Sequence, residues 1–235
     1  MYISGFQSMT LLDYPGKVAC TVFTGGCNFK CPFCHNASIV LNPERQMSEE
    51  EIYKHLTKRK DVLDGVCVTG GEPTLMEDLP MFLYRIKEMG LKVKLDTNGY
   101  NPTMLGKILD GNLADYVAMD IKHSPHKYKD AVGLDTIDIS RVEESIAIIM
   151  KESSDYEFRT TLVKGIHCVE DMDGMGEMIK GSKAYFLQSY KESDEIICKV
   201  SGKTDRMFET FSNIELNEFL EKAGQYVQNV TLRGV

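Results

Sequence analysis

No stretch of this 235-residue chain is apolar for long enough to cross a bilayer. Its Lys and Arg residues nowhere gather into a block, and the formal net charge is −8. A partner gripped through nucleic-acid phosphates is therefore not expected. The opening Met1-Tyr2-Ile3-Ser4-Gly5 lacks the charged-then-apolar layout of an export signal, so a cytoplasmic location with no membrane partner is expected. A disulfide framework is not expected either. The seven cysteines are an odd number gathered mainly in one place, which suits a reducing compartment. Linkers and low-complexity segments are missing too, so residues 1–235 read as a single domain. What is present is ordinary for a globular chain: 43% hydrophobic and 26% charged residues, enough to bury a substantial core.

The unusual stretch is Cys27-Asn28-Phe29-Lys30-Cys31-Pro32-Phe33-Cys34, with spacing C-x3-C-x2-C and no fourth cysteine nearby. A structural zinc site or an electron-transfer cubane would use four ligands. Three thiolates can hold three irons of a [4Fe–4S] cluster and leave the fourth open to a substrate or cofactor. Two plainer readings stand beside this one. The thiols could form a zinc site completed by His35, although structural zinc patterns separate their ligand pairs by a longer span. They could also be unpaired core thiols, but Asn28, Lys30 and Pro32 mark the run as a loop.

Around that loop, strand and helix patterns alternate. After an irregular lead-in ending at the Pro15-Gly16 turn, Val18–Phe23 is a β-rich run that delivers the cysteine loop at its C-terminal end. Further strands are expected at Val66–Val68, Val93–Leu95, Tyr116–Ile121, Tyr156–Val163 and Tyr185–Gln188, with a short last one at Val230–Leu232. Between them lie helices. One starts at a Ser48/Glu51 capping box, and one carries Leu79, Phe82, Leu83 and Ile86 on a single face. Others are capped at Asn101-Pro102, at Ser140 and at Asn213, and one runs from Met172 to Ile179. Ser124–Ile139 and Ser189–Arg206 are long polar connections. Repeated β-α units demand a parallel sheet. Six are too few for a closed eight-fold barrel, so the expected fold is α/β, a partial (β/α)6 barrel with parallel strands.

The strand ends carry the remaining candidates. Thr69-Gly70-Gly71-Glu72-Pro73 offers two glycines that let backbone approach a ligand, and a carboxylate suited to an ammonium group. Asp96-Thr97-Asn98-Gly99 and Met119-Asp120-Ile121-Lys122 follow the next two strands, and Arg159 lies in the fifth. Taken singly these are turns, caps or ion pairs. Together they lie at or near the C-terminal edge of the sheet that bears the cysteine loop, where α/β proteins keep their chemistry. Gln188 ends the sixth strand and is a weaker candidate.

C-x3-C-x2-C after one strand with GGEP after the next resembles the radical S-adenosylmethionine (SAM) superfamily. Leu12-Asp13-Tyr14-Pro15-Gly16, the DTNG and MDIK strand ends and the Thr231-Leu232-Arg233-Gly234 tail resemble its glycyl-radical-enzyme activases. Among these they are most similar to the longer activating proteins of anaerobic ribonucleoside-triphosphate reductase. The resemblance implies that Cys27, Cys31 and Cys34 ligate a [4Fe–4S] cluster whose open iron chelates SAM. It implies that Gly70, Gly71 and Glu72 receive the SAM amine through backbone carbonyls, with the Glu72 carboxylate as a further acceptor, and that Phe33 lies beside the adenine. Thr97 and Asn98 would contact the ribose and methionine portions, and Lys122 and Arg159 the carboxylate. A monovalent cation is implied at Asp96, Thr97 and Asp120, with a carbonyl near Ala118. It implies reductive cleavage of SAM to a 5′-deoxyadenosyl radical, which abstracts a glycine Cα hydrogen from a large glycyl radical enzyme. A flavodoxin- or ferredoxin-type protein would donate the electron.

The two polar connections would then rim the site for the partner's glycine loop, or be plain surface. Cys20, Cys67, Cys168 and Cys198 have no ligand spacing and read as small hydrophobes or free thiols, and His123, His126 and His167 are given no role. The ferredoxin-like cysteine insert of some activases is not there, which implies one cluster only. Rival functions remain: a radical reaction on a small molecule or another peptide, or a non-catalytic iron–sulfur electron carrier.

Overall fold

The computed structural model describes residues 1–202 and 208–234. Among them, one sheet holds eight strands in linear order. They are β1 (Ile3–Thr10), β2 (Ala19–Thr24), β3 (Gly65–Gly70), β4 (Lys92–Thr97), β5 (Tyr116–Asp120), β6 (Tyr156–Leu162), β7 (Tyr185–Ser189) and β8 (Val230–Arg233). β1 is antiparallel to β2, and every later neighbouring pair is parallel. The helices are α1 (Ala37–Leu41), α2 (Glu49–Arg59), α3 (Leu79–Glu88), α4 (Pro102–Asp110), α5 (Tyr128–Val132), α6 (Ile139–Glu152), α7 (Asp171–Met178), α8 (Ile197–Val200) and α9 (Asn213–Ala223).

β2–β7 are the six parallel strands of the expected partial barrel, and β8 adds a seventh beside β7. The lead-in is not irregular, however: it is β1, paired along the edge of β2. Its central residues Gln7, Ser8 and Met9 are exposed, so the apolar alternation that announces a half-buried strand is missing.

Alternation along the inner strands sorts side chains to two faces. Val66, Val68, Val93, Leu95, Val117, Met119 and Phe158 join the helices in one apolar core. α3 shows how a helix is held there. Leu79, Phe82, Leu83 and Ile86 are fully buried, each contributing about 1.5–3 kcal/mol by leaving water. The other face carries Thr21, Cys67, Lys94, Asp96, Asp120, Glu157 and Arg159, which contact one another or the loops above. Thr21 Oγ1 donates to Asp13 at 2.5 Å, and Glu157 takes both arms of Arg233 at 2.7 and 2.8 Å. The sheet is curled, because the β1–β2 hairpin (Leu12, Asp13, Pro15) and the last strands (Gln188, Arg233) line a common cavity.

Two cap positions differ from expectation, and both follow from local chemistry. Asp138, not Ser140, caps α6, its carboxylate accepting from the Ser140 N–H and hydroxyl. Ser212, not Asn213, caps α9 in a reciprocal box with Glu215. The boxes at Ser48/Glu51 and the cap at Asn101 are as expected. Residues 203–206 of the second polar connection lie outside the described residues.

Candidate functional site

A cleft at the C-terminal edge of the sheet, enclosing about 860 Å³ out to its open mouth, is lined by all the expected site residues. Cys27, Cys31, Phe33 and Cys34 come from the loop after β2. Gly70, Gly71 and Glu72 come from the end of β3, Asp96, Thr97 and Asn98 from β4, Asp120 and Lys122 from β5, and Arg159 from β6. All seven cysteines are free thiols.

Main chain from distant segments fixes the cysteine loop. Lys30 N–H donates to Val132 O at 2.8 Å, Ile197 N–H to Cys34 O at 3.1 Å and Cys198 N–H to Pro32 O at 3.0 Å. The two long polar connections therefore brace the loop rather than simply crossing the surface. His35 closes the same side, its Nε2 lying 2.6 Å from Lys191 O and its ring against Tyr190.

Burial pushes the Cys27 thiol up to about 11 and the Cys31 thiol to about 12, and raises Cys34 as well. The Lys122 ammonium pulls all three the other way. Loading a metal cluster would release their protons. Among the described residues, no three His, Cys, Asp or Glu side chains are grouped to hold a single metal ion. All three thiols line the one cleft, so a body bound in it can meet all of them.

The glycine pair is required by proximity. A Cβ on Gly71 would lie 1.9 Å from Gly26 O, and Gly70 adopts φ +112°. Only glycine lets the β3 end run this close to the start of the cysteine loop, where Glu72 N–H donates to Gly26 O at 2.9 Å.

Glu72 is fully buried, and its carboxylate is engaged within the protein. Its Oε1 accepts from Thr74 N–H (3.1 Å), Thr74 Oγ1 (2.5 Å) and Thr97 Oγ1 (2.7 Å), and its Oε2 from Asn98 N–H (2.6 Å). Burial pushes this carboxyl upward, against the pull of those four donors. Thr97 and Asn98 are likewise engaged within the protein. Asn98 Nδ2 donates to Asn28 Oδ1 at 2.8 Å and approaches Cys27 Sγ at 3.8 Å, tying β4 to the cysteine loop.

Asp96 and Asp120 face cations of the chain itself. Arg159 Nη1 lies 3.1 Å from Asp96, and its Nε bonds Asp120 at 2.5 Å. Lys94 bonds Asp96, and Lys122 bonds Asp120 at 2.9 Å. Burial would raise both carboxyls, but Arg159, with Lys94 at Asp96 and Lys122 at Asp120, holds them below their usual range.

Some lining residues carried no sequence signal. Asn36 Nδ2 donates to Gly70 O at 3.0 Å. Phe29, Thr69 and Thr161 also line the cleft. Gln188 accepts from Thr161 at 3.4 Å, one shell removed. Behind Phe33, which is 5% exposed, the rings of His167 and Phe208 pack edge-on. His167 stacks on His123 at 4.9 Å, its Nδ1 accepting from Val163 N–H and its Nε2 donating to Lys122 O at 3.0 Å. His126 lies in the short turn before α5, outside this pair.

An open parallel sheet with three thiols and a glycine-rich strand end around one cleft defines a class, and comparison with known proteins agrees. A family profile described as the radical SAM superfamily matches residues 21–172. The chain belongs to that superfamily and is a radical SAM enzyme, whose cofactors are a [4Fe–4S] cluster and SAM. A protein of Methanocaldococcus jannaschii, provisionally named a glycyl-radical enzyme activating enzyme, is 33% identical across 99% of this chain and 96% of its own. The pyruvate formate-lyase-activating enzyme of Streptococcus mutans is 28% identical over 77% of this chain and 73% of its own.

Solved structures give the same fold. SuiB of Streptococcus suis superposes with a TM-score of 0.65 at 17% identity, covering 89% of this chain and 47% of that one. Methylornithine synthase gives 0.62 at 15% identity, covering 87% and 61%. At these identities the likeness concerns the fold alone. No helix of the described residues is long and apolar enough to cross a membrane.

Proposed function

We propose that this chain activates a glycyl radical enzyme, with anaerobic ribonucleoside-triphosphate reductase as the partner. The observation that carries the activase reading is the archaeal relative, whose similarity runs over nearly the whole of both chains. The match to pyruvate formate-lyase-activating enzymes points the same way. The choice of reductase rests on the LDYPG, DTNG and MDIK segments and the TLRG tail.

In this reading Cys27, Cys31 and Cys34 hold the cluster. Lys122, paired with Asp120, and Arg159, paired with Asp96 and Asp120, present the positive charge that meets the carboxylate of SAM. The main-chain carbonyls of Gly70 and Gly71 meet its amine. Glu72 holds these carbonyls in place by tying the β3 end to β4, and Phe33 offers an apolar wall for the adenine. When bound, the two cofactors supply one-electron cleavage of the sulfonium and so a carbon radical able to take hydrogen from glycine Cα. The chain's own part is position and shielding: the proposed contacts and the ion-paired strand ends line one cleft. A flavodoxin- or ferredoxin-type donor supplies the electron.

The test is anaerobic reconstitution with iron, sulfide, SAM, a reductant and the candidate reductase, read by electron paramagnetic resonance. A glycyl radical on the reductase is the expected result. Release of 5′-deoxyadenosine with no radical on that partner would remove the reductase from the proposal. No 5′-deoxyadenosine at all would sink it.

A further inference from the structure

The resemblance to activases implies a monovalent cation held by Asp96, Thr97, Asp120 and a main-chain carbonyl near Ala118. The residues present do not fit one. Asp96 Oδ1 bonds the Lys94 ammonium, and Oδ2 faces Arg159 Nη1 at 3.1 Å. Asp120 Oδ1 bonds Arg159 Nε, and Oδ2 faces Lys122 Nζ at 2.9 Å. Each of the four carboxylate oxygens already meets its own cationic nitrogen. Thr97 Oγ1 is committed as well, donating to Glu72 at 2.7 Å and accepting from Gly99 N–H at 3.1 Å.

We infer that Lys94 is a built-in replacement for the alkali ion, and that this enzyme needs no monovalent metal to order its SAM-binding strand ends. Lys94 precedes Asp96 by two residues on β4, so strand alternation puts both side chains on the inner face. Its side chain is 3% exposed. Among the described residues, apart from Asp96 its ammonium reaches only the Cys67 thiol, a weak acceptor, at 3.8 Å. The nearby Glu157 carboxylate cannot draw it away, because Arg233 and Tyr116 occupy that group. Before SAM binds, a further metal cation would join three cations whose direct partners are two carboxylates, and like charges repel strongly away from water.

The inference concerns this chain alone and stands whichever partner it activates. The test compares potassium with tetramethylammonium at equal ionic strength. In the cluster-free chain, the wild-type unfolding midpoint is expected to be the same in both salts. In the reconstituted enzyme, wild-type SAM affinity should differ by less than about two-fold between them. Lys94→Met vacates the ammonium position. It should lose about ten-fold in SAM affinity in tetramethylammonium and regain most of it in potassium.

Crystals soaked in thallium(I) supply the structural readout. The wild type should show no anomalous peak between Asp96 and Asp120, and Lys94→Met should show one beside Asp96. A peak in the wild type, or potassium-dependent binding by it, would overturn the inference. So would a Lys94→Met variant that stays indifferent to potassium. Should that variant fail to fold, the wild-type crystals and salt comparison decide the question.

Discussion

Glu72 separates two accounts of the GGEP strand end. If its carboxylate is the clamp described above, Glu72→Gln injures the fold before any ligand arrives. The glutamine oxygen can replace only one carboxylate oxygen. If it keeps Thr74 and Thr97, the amide NH2 points at the Asn98 N–H, donor against donor. That contact is 2.6 Å long in the native chain. A hydrogen bond to a charged group contributes about 1.5–3 kcal/mol, and a buried orphan donor costs about 1–3. The expected loss is therefore about 3 kcal/mol, or about 6–12 °C in melting temperature for a chain of this length. Urea unfolding of the cluster-free protein, kept anaerobic and reduced, measures it directly. A double-mutant cycle with Thr97→Val should show strong coupling, since both partners share the 2.7 Å bond. A Glu72→Gln variant as stable as wild type, with only its SAM affinity lost, would refute the clamp and restore the carboxylate as the amine's acceptor.

Three more outcomes are expected. Cys31→Ala should lose the cluster and all SAM cleavage, checked by iron and sulfide analysis and by 5′-deoxyadenosine release; retained cleavage would contradict the ligand assignment. Gly71→Ala should cost about 3 kcal/mol or more, because its Cβ would sit 1.9 Å from a main-chain oxygen that cannot retreat. Burial lowers His167 from its ordinary 6.5 to about 4. The folded state thus favours the neutral ring, and that stability is present above about pH 6.5. It is lost as pH falls toward about 4, at up to about 1.4 kcal/mol per pH unit. A urea midpoint unchanged over that range would show that the ring is not held as the hydrogen bonds require.

The sequence made the inner parallel strands legible because each sends a row of buried apolar residues toward the helices, such as Val66 and Val68 in β3 or Val117 and Met119 in β5. It made the site residues legible because they follow those runs directly, and the curl of the sheet gathers them into one cleft. β1 was not legible, since an exposed edge strand need not alternate. The fate of the polar groups was not legible either. Whether Glu72, Thr97 and Asn98 face a ligand or one another depends on the separation of β3 and β4, which spacing in sequence does not encode. The same holds for Lys94, an unremarkable residue inside a strand until its ammonium is seen to meet the Asp96 carboxylate that Arg159 also holds. Asn36 escaped because a single amide bonding Gly70 O has no pattern to announce it.

The bonds from Ile197 and Cys198 to the carbonyls of Cys34 and Pro32 have a consequence for biosynthesis. Two of the main-chain donors that shape the loop of the three thiols come from far downstream in the sequence. Synthesis must pass Cys198 before the loop can make both bonds. Chains truncated before Cys198 should therefore be poor recipients for any iron–sulfur assembly machinery.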